Sequence, residues 1–464
     1  MSSDIVSQSF FHPTDRHLTG VVFAVLTYWL FTQSVINVIP AISENVAMAP
    51  ASLSFAISLS ALFSGCFVVG CGGLADRAGH LLLARIGLVL SILASLALAM
   101  AWEPIMFFSA RIIQGLSAAC IMPATLALLK EWYQGAERQR AISFWVIGSW
   151  GGSGLCALTG GLITLMLGWR WIFIISSMVA LLSLWLLRNA RESEHPAVVR
   201  STFDLAGLLL LPVVLVLLNL LIGKSSGWSL TTILIVVLGL MLCSIAFYLI
   251  ERKRGNHALI DFSLFSIRAW NGALLSNLLL NSCIGSMLVT SLYLQHDRGF
   301  SAFQAGGVTL GYLVMVLVMI RVGERLLQRF GARLPMVAGA LITAAGIAAI
   351  SCTFIPGNGY IATVIVGYML FGLGLGCYAT PSTDTAVSHA PANKTGIASG
   401  IYKMGSSLGG AFGIAGSSAL YNLWLPAGSA HAAQWVLWGN MGLCIVAAII
   451  SLMLLPSSRF AVSD

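Results

Sequence analysis

Along the chain, apolar residues come in runs of about 20, joined by short polar stretches rich in Gly, Pro, Arg and Trp. A helix needs about 20 apolar residues to cross a hydrocarbon core, whereas barrel strands need only about 9–11 alternating ones. The pattern predicts fourteen helical spans, at roughly 19–39, 52–74, 82–101, 104–129, 140–166, 170–188, 205–222, 228–249, 269–293, 304–323, 334–354, 360–388, 396–422 and 434–455. The seventh and eighth, Leu205–Ile222 and Trp228–Ile250, are dominated by Leu, Ile and Val, as expected of helices that face lipid. They separate six spans from six. The chain accordingly divides into 1–190, 191–255 and 256–464: an all-α protein of two six-helix bundles plus two linker helices.

Composition agrees with this reading. Of 464 residues, 58% are hydrophobic and 9% charged, with a mean hydropathy of +0.92. Soluble domains carry about a quarter charged residues, so this chain has too few to cover a water-facing surface. Lys and Arg number 24 against 16 Asp and Glu, but the excess is scattered through short loops without a basic, aromatic-interleaved patch, which excludes a nucleic-acid surface. With the N-terminus inside, 19 of the 24 fall in cytoplasmic segments and only Arg170, Lys224 and Arg298 outside; Arg111 and Lys403 lie within spans. That bias predicts a plasma-membrane protein with both termini cytoplasmic. Trp102, Trp132, Trp169, Trp228, Trp270 and Trp435 stand at span ends, where an interfacial belt is expected.

Enzyme and metal signatures are lacking. The nine cysteines fall within apolar segments without a CxxC pair, and the eight histidines form neither HxxxH nor HExxH, so no disulfide framework, metal or cofactor is expected. Residues 1–18 are polar and no cleaved leader is expected. Gly223-Lys224-Ser225 lacks the first glycine of a phosphate loop, since Leu218 stands there. Gly372-x-Gly374-x-Gly376 has no preceding strand and is no dinucleotide loop.

Four features carry mechanism. First, Gly72-x-Leu-Ala-Asp76-Arg77-x-Gly79 follows the second span: a tight turn, with Asp76 positioned to accept hydrogen bonds from a neighbouring helix N-terminus and Arg77 to pair with an acid. A weaker echo, Arg329-Phe330-Gly331, follows the tenth span, suggesting repeated halves with a binding site between them. Second, Arg111 lies within the fourth span with Gln114 one turn on; an arginine there costs at least ~2.5–3.5 kcal/mol and is expected to face a cavity or partner, unless it snorkels to the nearby outer end. Third, Gly148, Gly152, Gly160 and Gly161 make the fifth span glycine-rich, which permits close packing and bending. Fourth, Asp384 lies seven residues before Pro391 and Lys403 seven after Gly396, so both are expected about 10 Å above the intervening loop and paired. Arg321 and Glu324, three apart, suggest a gate pair. Gln33, Asn37, Gln114, Asn277, Asn281, Tyr312, Tyr378 and Tyr402 are polar or aromatic groups suited to a cavity, though each also serves in helix packing.

The Gly72–Gly79 segment resembles the cytoplasmic-loop signature of the major facilitator superfamily, Arg111 its fourth-span arginine and the Gly148 region its antiporter motif. His80-Leu81 stands where the family has a basic pair, and Cys156-Ala157 replaces its Gly-Pro. Fourteen-span relatives usually carry an aspartate before the end of the first span; Thr32 stands there, and no carboxylate occurs between Asp15 and Glu44. Stretches including Leu62–Gly73, Gln114–Thr125, Tyr312–Glu324 and Tyr378–Thr385 extend the likeness to NorB-type quinolone-efflux pumps, a branch of the fourteen-span drug:proton antiporters. The resemblance implies the major facilitator fold and export of quinolones, and of tetracycline or cationic biocides, by alternating access. Its partners would be small-molecule drugs, protons and membrane lipid, and it would act as a monomer. By that resemblance Arg111 would serve proton coupling, and the Asp384–Lys403 pair, read from the residues themselves, is the candidate to share that role. An exporter or importer of a cellular metabolite or siderophore on the same scaffold is the alternative.

Overall fold

The computed structural model describes residues 13–34, 42, 45, 46, 50–152, 160, 162–164, 166–192, 204–224, 229–254, 262–300 and 302–456. Nearly all are helical, and no strand occurs among them. The helices are α1 (Asp15–Gln33), α2 (Pro50–Ala78), α3 (His80–Ala99), α4 (Pro104–Trp132), α5 (Gly135–Val146), α6 (Arg170–Leu186), α7 (Leu205–Lys224) and α8 (Leu230–Arg254). They continue as α9 (Arg268–Ser282), α10 (Gly285–Arg298), α11 (Ala302–Val308), α12 (Leu310–Phe330), α13 (Arg333–Ile350), α14 (Gly357–Ser388), α15 (Thr395–Trp424) and α16 (Ser429–Leu454). Among the described residues, nine helical stretches are long and apolar enough to cross a membrane.

Positive-φ glycines set the sharp reversals. Gly79, at φ 110°, alone separates α2 from α3, and Gly331, at φ 75°, opens the two-residue link from α12 to α13. A side chain would be strained at either φ. The echo read in the sequence between these two turns is matched by a positive φ at each glycine.

Two of the expected spans are interrupted. The stretch predicted as 269–293 divides between α9 and α10, where Cys283 and Ile284 donate to the carbonyls of Leu280 and Asn281, three residues back. The break lies against α15: a methyl on Gly413 would come within 1.9 Å of the Ser282 carbonyl oxygen, and one on Gly285 within 2.2 Å of the Gly413 oxygen. Backbone contact of this kind needs residues without side chains. Similarly, α5 passes at Ile147–Gly151 into a π-helical turn, which includes Gly148. A π turn widens the helix locally at these glycines, and Cys156-Ala157, where the family has Gly-Pro, lies outside the described residues.

Helices α1 to α6 pack mainly on one another, through α2 on α4, α3 on α4 and α6, and α1 on α6. A second group runs from α9 to α16, with α13 and α12 on α14, and α9 on α15 and α16. The groups meet along α2–α15, α5–α12 and α5–α14. Helix α8 packs on α7, which rests on α2 and α15, and its Leu234, Leu238, Leu242 and Leu249 are exposed. That surface is unsuited to water and matches the lipid-facing role read from its composition.

The tryptophans divide. Trp102 and Trp435 are 74% and 55% exposed, as an interfacial belt requires. Trp132, Trp169 and Trp270 are instead buried, the last packed edge-on to Phe265 at 5.5 Å. Position at a span end fixes depth and leaves the direction of the ring to packing. Trp228 lies outside the described residues.

Candidate functional site

At the end of the molecule that carries Gly79 and Gly331, the two helix groups are tied together by polar contacts. We call this the Asp76 end and the opposite one the Trp102 end. The Asp76 Oδ1 accepts a hydrogen bond from the Gly396 amide at 2.7 Å, and its Oδ2 accepts from the Ile397 amide at 2.9 Å. Both amides belong to the first turn of α15, whose donors have no partner within the helix and whose dipole favours an anion. The expectation that Asp76 holds a neighbouring helix N-terminus is met, and α15 is that helix. Arg77 is exposed at the last turn of α2.

Close backbone approach makes this contact possible. A methyl on Gly72 would come within 2.3 Å of the Gly396 oxygen, and one on Gly400 within 2.8 Å of the Val68 oxygen. From α4, the Lys130 ammonium donates to the Ala390 carbonyl just beyond α14. A cation at a helix C-terminus and an anion at the next N-terminus both oppose the local dipole. The 389–394 connection is thus gripped on both sides.

Helix α5 supplies the remaining ties. Arg138 Nε donates to Asp384 Oδ1 at 3.0 Å, with the aspartate side chain 6% exposed. Gln328 donates to the Ala136 carbonyl at 3.4 Å, and Arg321 to the Ser143 hydroxyl at 3.3 Å while its guanidinium lies 4.6 Å from the Phe144 ring centroid. Arg321 also pairs with Glu324, as its spacing predicts, and Glu324 accepts from Gln328.

The predicted pairing of Asp384 with Lys403 requires correction. Lys403 is buried with its ammonium 4.3 Å from the ring centroid of Trp145, while Asp384 is held by Arg138. Helix α14 ends at Ser388, four residues past Asp384, whereas α15 begins at Thr395, eight before Lys403. Heights counted from the actual helix ends therefore differ by about 6 Å. The two groups also address points on α5 seven residues apart, about 10 Å along its axis. Neither Arg138 nor Trp145 is among the residues singled out from the sequence. Their signal was a helix starting with Glu137-Arg138-Gln139-Arg140 and turning aromatic two turns on.

Arg111 is fully buried and donates to Gln114 Oε1 at 2.7 Å, so it does not snorkel to the nearby end. Asn277 donates to the Ser406 hydroxyl at 2.6 Å and to the Tyr402 carbonyl at 3.2 Å, and its own Oδ1 accepts from Asn281 at 2.9 Å. Tyr378 and Tyr402 join Ser276, Ser382 and Thr383 in a buried hydroxyl network, with Ser276 to Tyr378 at 2.6 Å and Ser382 to Tyr402 at 3.0 Å. These four cavity candidates hold α9, α14 and α15 together. Tyr312 is half-buried, its ring 5.7 Å from that of Phe371. A methyl on Gly148 would meet Val22 at 3.2 Å and one on Gly160 would meet Ser34 at 2.8 Å, so both glycines bring the fifth span against α1 and its end. Gly152 lies buried beyond the π turn. Gln33 is the last residue of α1; Asn37 and Gly161 lie outside the described residues.

The geometry is that of two helix groups sealed at one end by replaceable polar contacts, a construction suited to opening and closing rather than to bond chemistry. Comparison with known proteins leads the same way. The Major Facilitator Superfamily model matches residues 21–249, 199–414 and 272–463. The chain is 46% identical over 455 residues to Quinolone resistance protein NorB of Staphylococcus aureus strain MRSA252, covering 98% of each chain. Among solved structures, the proton:xylose symporter XylE bound to 6-bromo-6-deoxy-D-glucose shares the fold with a TM-score of 0.69 at 17% identity, covering 96% of each chain. The human organic anion transporter MFSD10 does so at 0.65 and 14%, covering 95% of this chain and all of that one. With family matches that together span nearly its whole length, the chain belongs to the Major Facilitator Superfamily, as a multi-pass membrane transporter and not an enzyme.

Proposed function

We propose that this protein is a proton-coupled multidrug exporter that moves quinolones out of the cell by alternating access. The observation that carries the reading is the 46% identity to NorB over 455 residues, covering 98% of both chains. In this reading fourteen helices cross the plasma membrane, both termini are cytoplasmic and the monomer is the working unit. Residues 1–190 and 256–464 are the two moving bundles, with 191–255 as linker helices.

The Asp76 end is then cytoplasmic. Its polar ties hold that side shut while the opposite side opens, and drug binding with proton release exchanges the two arrangements. Arg111 and Asp384 are assigned to the proton path because each is an ionisable group buried at a span, a costly placement that transporters use for ion handling. Lys403, against Trp145, lies between the bundles and joins them in that role. Gln114 and Tyr312 are the candidates kept for drug contact; an aromatic surface suits cargo of varied shape.

The test uses purified protein in sealed proteoliposomes under an imposed proton gradient. A fluoroquinolone is expected to move against the proton flow and to stop moving when an uncoupler is added. Tetracycline and a cationic biocide form the rest of the panel. A protein that moves none of the panel under either gradient direction contradicts the proposal, and efflux unaffected by the uncoupler contradicts its proton coupling.

A further inference from the structure

We propose that Lys403 and Ser399 form an anion site for the carboxylate of the cargo, with the Trp145 ring beside it to receive a planar aromatic body. The inference rests on the transport reading and deepens it: the lysine assigned to the proton path also recognises the drug.

Lys403 is 8% exposed, and its ammonium lies 4.3 Å from the centroid of the Trp145 ring. Among the described residues that ring is the one partner of the charge, and neither a carboxylate nor another hydrogen-bond acceptor meets it. The face of a tryptophan attracts a cation, but it does not replace the oxygens that water would offer three N–H donors. A buried charge held this way is short of an anion.

Ser399 stands four residues earlier on α15, on the same face of the helix. It is 2% exposed, and its hydroxyl has no hydrogen-bond partner. Hydroxyls within helices commonly donate to the carbonyl four residues back, as those of Ser276, Ser282 and Thr385 do here. The hydroxyl of Ser399 is left over for something else. Two donors thus stand one turn apart, with Cβ atoms about 5–6 Å from each other. A carboxylate carries two acceptor oxygens and bridges such a gap with one to each donor.

The surroundings suit a flat cargo. Trp145 belongs to α5 and is fully buried, its Nε1 donating to the Thr125 hydroxyl at 2.9 Å. Two residues on, the π turn at Ile147–Gly151 widens the helix. When the ammonium turns to a carboxylate, the ring face that it covered is released to stack on another aromatic ring. A quinolone offers both groups, a planar ring system and a carboxylate attached to it. Lys403 lies six residues beyond Ile397, about 9 Å along α15 from the Asp76 contact, so the bound drug would sit just inside the seal.

The same exchange bears on movement. Lys403 and Trp145 belong to opposite helix groups, so a carboxylate that draws the ammonium away loosens one tie between them.

Equilibrium binding to the purified full-length protein in detergent tests the site with a fluoroquinolone and its primary carboxamide, which keeps the size and removes the charge. Wild-type protein is expected to bind the acid at least about tenfold tighter than the amide, the worth of a charge-assisted hydrogen bond. In Lys403→Gln the two should bind alike, whereas Lys403→Arg should keep the preference, as a merely structural lysine would not require. Ser399→Ala should narrow the preference by a smaller factor, and it localises the site even if Lys403→Gln fails to fold. Equal binding of acid and amide by the wild type overturns this inference and leaves the transport reading standing. Binding of neither contradicts both. A preference for the acid that survives in both Lys403→Gln and Ser399→Ala places the recognition elsewhere and overturns the site.

Discussion

Asp76→Ala should reduce drug efflux by more than about tenfold while leaving the amount of protein in the membrane unchanged. The carboxylate makes two charge-assisted bonds to the first turn of α15, at 2.7 and 2.9 Å, and both cross between the helix groups. Hydrogen bonds to a charged group contribute about 1.5–3 kcal/mol each. Even if water recovers half of that, about 1.5–3 kcal/mol is lost from the closed Asp76 end alone, a shift of roughly 10- to 150-fold in its population. The shift can be read directly. A cysteine at Ile397 should react with a membrane-impermeant thiol reagent from the cytoplasmic side much faster in Asp76→Ala than in the parent. Asp76→Asn should fall between, because its amide keeps one acceptor oxygen and turns a donor toward the second N–H. Full efflux by Asp76→Ala would remove the contact from the mechanism.

The second large effect is expected at Arg138 and Asp384. Arg138→Ala leaves the Asp384 carboxylate, 6% exposed, without the countercharge 3.0 Å away. Breaking a buried pair from one side costs about 3–5 kcal/mol, whereas neutralising both partners costs far less. Arg138→Ala should therefore lower the melting temperature by several degrees, and the double variant Arg138→Gln with Asp384→Asn should recover most of the loss. Transport should separate from stability. On the proposed proton role for Asp384, the restored double variant still fails to respond to an acid gradient. A single variant as stable as the parent would contradict the pairing, and a double variant with normal gradient-driven efflux would contradict the proton role.

What the sequence could reveal depended on how local each feature is. The Asp76 contact was legible because a turn glycine, an acid and an apolar helix lie within eight residues, and an acid at a helix end looks for amides. The Arg321–Glu324 pair was legible for the same reason: three residues on a helix share a face. The partner of Asp384 was not. Its identity depends on where α14 stops and on a third helix, α5, presenting Arg138 to it, and neither is encoded nearby. Asn277 and Asn281 show a related limit. Their four-residue spacing correctly placed them on one face, but only the packing of α15 shows that this face binds Ser406 and the Tyr402 carbonyl. His80 was noticed only as a departure from the family's basic pair. The structure sets it against Glu131 and Glu192, which are 51 and 112 positions away in the chain.

The glycines show how the fold and the seal are connected. Gly72, Gly396 and Gly400 let α2 and α15 meet backbone to backbone, which brings Asp76 within reach of the α15 amides. A composition-level reading finds only small residues there. The structure adds that the contact between the two groups of helices is close enough for two hydrogen bonds to hold it.

The central claim is that the two helix groups swing about a shared middle, so that one end opens as the other closes. Paired spin-label distances measure this directly, with one pair across the Asp76 end at Glu137 and Arg329 and another across the Trp102 end at Trp102 and Phe354, all of them exposed. Changing the pH and adding a quinolone should lengthen one distance while shortening the other. Two distances that stay fixed, or that change in the same direction, would contradict the account.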